Sequence, residues 1–219
     1  MTATTKNHKS GDSSNLMFVG IIALVLVLGA AGVAVMATGR DRALDVDATG
    51  PVEVDGEALP PMPKDVNVTN ESNDPAFGQV APTLVGTDFE GNELVIEPTG
   101  RPAVIYFLAH WCGFCQAEVP VVQELVDEGA VPENVDIYAV STSYRPDTGG
   151  GHPKLWLEGE GFTVPTMRDD ASNSALVGFG GGGFPYAIYL DSDHKVIARS
   201  TGSLSKSRIA GLWEDAGNA

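Results

Sequence analysis

The chain has 219 residues, 43% of them hydrophobic, and a formal net charge of −16. That charge argues against a nucleic-acid partner, because binding phosphate needs a basic surface. It reads first as an acidic, soluble exterior, and is also compatible with a domain held off an anionic membrane surface by like-charge repulsion. Only two cysteines are present, Cys112 and Cys115. They are too few for a disulfide-stapled scaffold, and no second Cys or His pair stands near them to complete a structural zinc site. No metal and no organic cofactor is expected.

Residues 1–15 are polar, carry Lys6, His8 and Lys9, and read as a disordered tail. Residues 16–36 then run without a charge. At the helical rise they span roughly 30 Å, one hydrocarbon core, so residues 16–37 are expected to form a single transmembrane anchor. The rival is a cleaved signal peptide, for which Val35-Met36-Ala37 would serve as the cleavage site. The apolar core of such a peptide is about 7–15 residues, shorter than this run. Lys6 and Lys9 before the span and Arg40 and Arg42 after it leave the positive-inside rule nearly balanced. The short tail and the long acidic remainder favour a cytoplasmic N-terminus. The expected location is the cell membrane, crossed once, with both cysteines outside the cytoplasm.

Residues 38–75 contain Pro51, Pro60, Pro61 and Pro63, many acids and few large apolar side chains. They are expected to be a disordered, semi-extended linker. Asn67-Val68-Thr69 and Asn70-Glu71-Ser72 match glycosylation sequons, a pattern that matters only in a eukaryotic secretory setting.

Residues 76–219 read as one α/β domain, a mixed sheet flanked by helices with an N-terminal hairpin extension. The hairpin pairs strands 83–87 and 93–96 through the turn residues Asp88 to Asn92. Residues 103–108, AVIYFL, have the continuous apolar character of a central strand buried on both faces. A helix follows the cysteines, with Val119, Val122, Leu125 and Val126 at helical spacing. Next come a strand at 135–140, a helix from His152 to Glu160, a short strand at 162–164 and a helix at 171–179 ending in Gly180 to Gly183. A second hairpin pairs 186–190 with 196–200, and a helix from Ser205 to Trp213 closes the domain.

The segment around the cysteines is His110-Trp111-Cys112-Gly113-Phe114-Cys115-Gln116-Ala117-Glu118-Val119-Pro120. It leaves a buried strand and opens a helix, so Cys112 falls at a helix N-terminus. Unpaired N–H groups and the macrodipole there favour an anion such as a thiolate, and the thiolate is the nucleophile. Cys115, one turn on, can resolve a mixed disulfide by intramolecular attack. The pair is thus a reversible two-electron switch.

This arrangement resembles thioredoxin-fold proteins. Cys-x-x-Cys-x-x-Glu-x-Pro, here Cys112 to Pro120, is similar to the membrane-anchored TlpA/ResA group of thiol–disulfide oxidoreductases. Ala81-Pro82 with Asp88 and Gly91 resembles the N-terminal hairpin of that group and of peroxiredoxins. The resemblance covers about residues 76–213. It implies a cis-proline at Pro185 facing the cysteines, with Phe184 offering backbone groups to a bound peptide. It also implies that Trp111 shapes the docking face. The glycines at 180–183 would let backbone approach Cys112. Classical thioredoxin has an Asp beneath its disulfide where this chain has Tyr106, so Glu118 is the candidate proton carrier, a buried carboxylate with a raised pKa. His110 is expected to be an exposed loop residue; His152 and His194 lie in polar loops and are given no role.

The expected activity is thiol–disulfide exchange with exported or membrane-bound thiol proteins. The resemblance favours the reducing direction, with apocytochrome c as one candidate substrate and a membrane protein as electron donor. An oxidant of exported proteins is the rival within this class. A copper chaperone using Cys112 and Cys115 is a different class, since soft thiolates suit Cu(I). It lacks the wider Cys-x-x-x-Cys spacing of copper-delivery relatives. A peroxiredoxin would have Thr rather than Ala109 three positions before its reactive Cys.

Overall fold

The computed structural model describes Met1 and residues 47–219. The expected tail beyond Met1, and the expected span at 16–37, lie outside the described residues. Among the described residues no helix is long and apolar enough to cross a membrane.

Two sheets organise the domain. A small antiparallel sheet has the order β1(Glu53–Asp55), β2(Thr83–Thr87), β3(Glu93–Ile96). The main sheet runs β6(Thr166–Arg168), β5(Asp136–Ser141), β4(Ala103–Leu108), β7(Tyr186–Leu190), β8(Val196–Thr201). Strand β4 pairs in parallel with β5 and antiparallel with β7, so the sheet is mixed. Every residue of β4 and β7 is buried, as their unbroken apolar runs require.

Because side chains alternate across a strand, β4 serves two cores. Val104, Tyr106 and Leu108 join one with helices α1(Gly113–Asp127) and α4(Lys206–Gly217). Ala103, Ile105 and Phe107 face a second, with Leu59, Met62, Leu84 and Phe179. Helix α4 is N-capped by Ser205, whose side chain accepts from the N–H of Arg208. Its stripe of Ile209, Leu212, Trp213 and Ala216 is buried. Two short helices, α2(Pro153–Gly159) and α3(Ser174–Gly178), complete the fold.

Four expectations are corrected. The stretch 38–75 is not a free spacer over its described part. Leu59 and Met62 are buried, and their N–H groups donate to Gly178 and Gly180 carbonyls, each over 2.9 Å. Further on, fully buried Arg199 grips Asp74, and Thr69 N–H donates to Arg199 O over 2.8 Å. The composition is polar, but backbone pairing and one enclosed ion pair hold the strap down, and neither leaves a mark in hydrophobic periodicity.

The expected strand at 162–164 moves to Thr166–Arg168. Val164 turns into the core beside the helices, and Thr163 N–H donates to the Gln123 side chain over 2.8 Å. Pairing with β5 begins only at the Pro165 carbonyl, which accepts from Ala139 N–H over 2.9 Å. The helix expected at 171–179 shortens because Asp170 Oδ1 accepts from the N–H groups of Ser172 and Ser174, an Asx-type turn that competes with helix. The glycines at 180–183 also serve another purpose than approach to Cys112. A Cβ on Gly180, whose φ is +64°, would run into the Pro60 carbonyl, and one on Gly183 into the Thr201 hydroxyl. They make room for the strap and for β8.

Candidate functional site

Strand β4 ends at Leu108, and the chain turns through Ala109, His110 and Trp111 into α1. Cys112 is the N-cap residue, in extended conformation at φ −83° and ψ 115°, and its carbonyl accepts from Gln116 N–H over 3.0 Å. Its side chain makes no capping hydrogen bond, and its sulfur faces the Phe184 carbonyl. Both cysteines are free thiols. Cys112 keeps 9% of its surface exposed and Cys115 none, while Phe114 between them is 64% exposed. Burial pushes the Cys115 thiol well up, and its hydrogen bond with Cys112 and the nearby Glu118 add to the rise. Both cysteines are buried, but Cys112 retains a little exposure, whereas Cys115 is fully enclosed and held as a thiol.

The Phe184–Pro185 bond is cis, as expected. Phe184 O lies 3.8 Å from Cys112 Sγ, and the Phe184 ring packs edge-on to Trp111 with centroids 5.8 Å apart. Trp111 is half-buried, and its Nε1–H donates to Ser143 O over 2.7 Å. Trp111, Cys112, Phe184 and Pro185 are thus brought to one face.

Glu118 lies one turn after Cys115 on α1 and is only 5% exposed. Its Oε2 accepts from Leu204 N–H over 2.9 Å. Burial outweighs that bond and pushes the carboxyl up to about 7. Beneath it Tyr106 is closed in, and its hydroxyl accepts from Trp213 Nε1–H over 2.9 Å. Burial holds the Tyr106 phenol well above its ordinary value, so it stays neutral.

His110 is not the exposed loop residue expected; it is 1% exposed. Its Nε2 accepts from Arg145 N–H over 3.2 Å, and its ring leans on Tyr144. Burial, with His152 nearby, lowers its pKa and keeps it neutral. His152 N-caps α2, its Nδ1 accepting from Lys154 N–H over 3.2 Å. His194 is buried at the β7–β8 turn, where its carbonyl accepts from Ala81 N–H over 2.9 Å. Sequence reasoning missed the segment from Ser143 to Gly151, which lies against His110 and Trp111. Its only local signals are turn residues, Pro146 and three glycines, and a cation among them. Among the described residues no group of three or more His, Cys, Asp or Glu side chains converges as metal ligands do.

A mixed sheet with a cis-proline loop facing two thiols on the first turn of a helix defines a thioredoxin-fold thiol–disulfide oxidoreductase. Residues 77–203 match the AhpC/TSA family, and the chain belongs to that family. A relative from Geobacillus thermodenitrificans, named thiol-disulfide oxidoreductase ResA, is 30% identical over 148 residues, 65% of this chain and 79% of the relative. In fold, the chain is similar to a DsbF homologue from Corynebacterium diphtheriae (TM-score 0.56, 15% identity, 73% of this chain and 99% of that one). It is also similar to a thiol:disulfide interchange protein from Chlorobium tepidum (TM-score 0.52, 19% identity, 63% and 94%).

Proposed function

We propose that the protein is an extracytoplasmic thiol–disulfide oxidoreductase that reduces disulfides in exported or membrane-bound proteins, tethered through residues 16–37. The observation that carries this reading is the asymmetry of the two sulfurs. Cys112 caps a helix N-terminus and keeps 9% of its surface exposed, whereas Cys115 is fully enclosed beside a carboxyl that titrates near neutrality.

The Cys112 thiolate attacks one sulfur of the substrate disulfide. A new S–S bond forms, the substrate bond breaks, and its electron pair leaves on the departing sulfur, which takes a proton. Glu118 accepts the proton of the Cys115 thiol, three residues away on the same helix face. The Cys115 thiolate then attacks Cys112 and releases the second substrate thiol. Two electrons and two protons pass to the substrate, and the Cys112–Cys115 disulfide remains for a membrane electron donor to reduce. The Phe184 carbonyl beside Cys112 is placed to pair with an extended substrate segment.

The reducing direction, and apocytochrome c as one substrate, are supported by the likeness to the TlpA/ResA group and to the Geobacillus relative. The deciding measurement is the reduction potential of the Cys112–Cys115 couple. A value near −270 mV, about that of thioredoxin, is expected; one near −120 mV, about that of a strong oxidant, would reverse the direction.

A further inference from the structure

We propose that Arg145 makes this protein select disulfides flanked by carboxylates, so that the preferred substrate segment carries Asp or Glu beside the attacked cysteine. The inference rests on the exchange activity proposed above and names the substrate class for the same site.

Arg145 occupies a built position. Its guanidinium carbon lies 3.8 Å from the Trp111 ring centroid. The backbone beneath it is pinned on both sides: Arg145 N–H to His110 Nε2 over 3.2 Å, Ser143 O to Trp111 Nε1 over 2.7 Å, and Ser143 N–H to Asn173 Oδ1 over 2.8 Å. A guanidinium laid on an aromatic face uses its plane for the stack and keeps its edge N–H groups for a carboxylate. That edge is open. Arg145 is exposed, and among the described residues it makes no ion pair, whereas Arg101, Lys154, Lys195 and Lys206 each have an acidic partner.

The position relative to the chemistry completes the argument. Trp111 contacts both Arg145 and Phe184, and the Phe184 carbonyl is 3.8 Å from Cys112 Sγ. A segment paired along Phe184 with its cysteine at Cys112 therefore docks beside the aromatic ring that carries the cation. The chain as a whole carries −16 and repels anions at long range. At physiological salt that field is screened beyond about 8 Å, so distant acids weigh little beside the local cation.

The test uses the full chain, pre-reduced, in single turnover at 0.15 M salt, with its own dithiol supplying the electrons. Two peptides with one intramolecular disulfide differ only in Glu or Lys on either side of the attacked cysteine. Each rate is divided by that peptide's rate with dithiothreitol, an uncharged thiol, which removes the effect of flanking charge on the disulfide itself. The Glu peptide is expected to react about fivefold faster, the scale of one exposed ion pair. The ratio should fall toward one in Arg145→Gln, drop below one in Arg145→Glu, survive in part in Arg145→Lys, and shrink at 1 M salt. A wild-type ratio of one or less, or a ratio unchanged in Arg145→Gln, overturns the proposal. Bis(2-hydroxyethyl) disulfide, which is neutral, separates the two failures. No reaction with it removes the exchange activity and this inference together, whereas reaction with it and a ratio of one removes only the role of Arg145.

Discussion

The Leu204 N–H meets Glu118 Oε2 at 2.9 Å, joining the middle of α1 to the turn that opens α4. One hydrogen bond to a charged acceptor contributes about 1.5–3 kcal/mol, less than the cost of enclosing a carboxylate, so the carboxyl rises to about 7. Disulfide exchange should therefore show an inflection near pH 7 on the step in which Cys115 resolves the mixed disulfide. Rapid-quench measurement of that step in Glu118→Gln should show the inflection gone. A profile that keeps it removes Glu118 from the proton transfer.

The same group makes a stability prediction whose sign is opposite to that of most acids. Its folded value lies above the ordinary 4.5, so the folded state holds the proton more tightly between about pH 4.5 and 7. Stability from this site is present at acid pH and lost as pH rises through that window, on the order of 3 kcal/mol in all. Urea titrations should show Glu118→Gln gaining stability relative to wild type at pH 8 and changing little at pH 4. The reverse order would mean that the carboxylate is stabilised in place.

The two sulfurs should be separable by substitution. Cys112→Ser is expected to abolish exchange, because Cys115 is fully enclosed. Cys115→Ser should leave the attack intact and trap mixed disulfides, visible as higher-mass species on non-reducing gels. Equal residual turnover in both variants would contradict these roles.

Asp74 and Arg199 form a buried ion pair that ties residues 67–76 to β8. Asp74 also accepts from the Thr69 hydroxyl over 2.6 Å and from Ala76 N–H over 2.9 Å. Burial raises the Asp74 carboxyl, but the bonds from Arg199, Thr69 and Ala76 outweigh it and hold it below its ordinary value. Its contribution to stability is thus complete above about pH 4 and lost as pH falls further. Asp74→Asn leaves a buried guanidinium uncompensated and should cost about 3–5 kcal/mol at pH 7. The gap to wild type should narrow at pH 3 in denaturant titrations. A cost under 1 kcal/mol at pH 7 would mean the strap is not held by this pair.

That ion pair also marks where sequence reading stops. Strands β2, β3, β4 and β7 could be placed to the residue, because buried strands are local apolar runs bounded by turn residues. The dithiol was equally plain, since a Cys-x-x-Cys between an apolar strand and a helical stripe declares its own position. The strap was not. Asp74 and Arg199 are 125 positions apart, and each alone looks like a solvated surface charge. His110 failed for the same reason. Its burial depends on Tyr144 and Arg145, which reach it from the far end of β5, and no local pattern announces that contact. Local periodicity reveals what a segment buries of itself, not what another segment will bring to it.

Gly150 tests how far that second layer controls the site. Its φ is +102°, a conformation side chains with a Cβ rarely adopt, and a Cβ there would run into the His110 carbonyl, which also accepts from Gln116 Nε2 over 2.8 Å. Gly150→Ala should therefore lift the 143–151 segment, at a cost of about 1–3 kcal/mol. It should loosen the Ser143 carbonyl from Trp111 and red-shift tryptophan emission as that ring gains water. Gly149 next to it has open space around a Cβ, so Gly149→Ala should stay within about 0.5 kcal/mol of wild type. The two substitutions differ by one position and add the same methyl group, so unequal effects report the positive-φ backbone of Gly150 and its contact with His110 together. Equal effects would mean that the segment does not brace the cysteine motif.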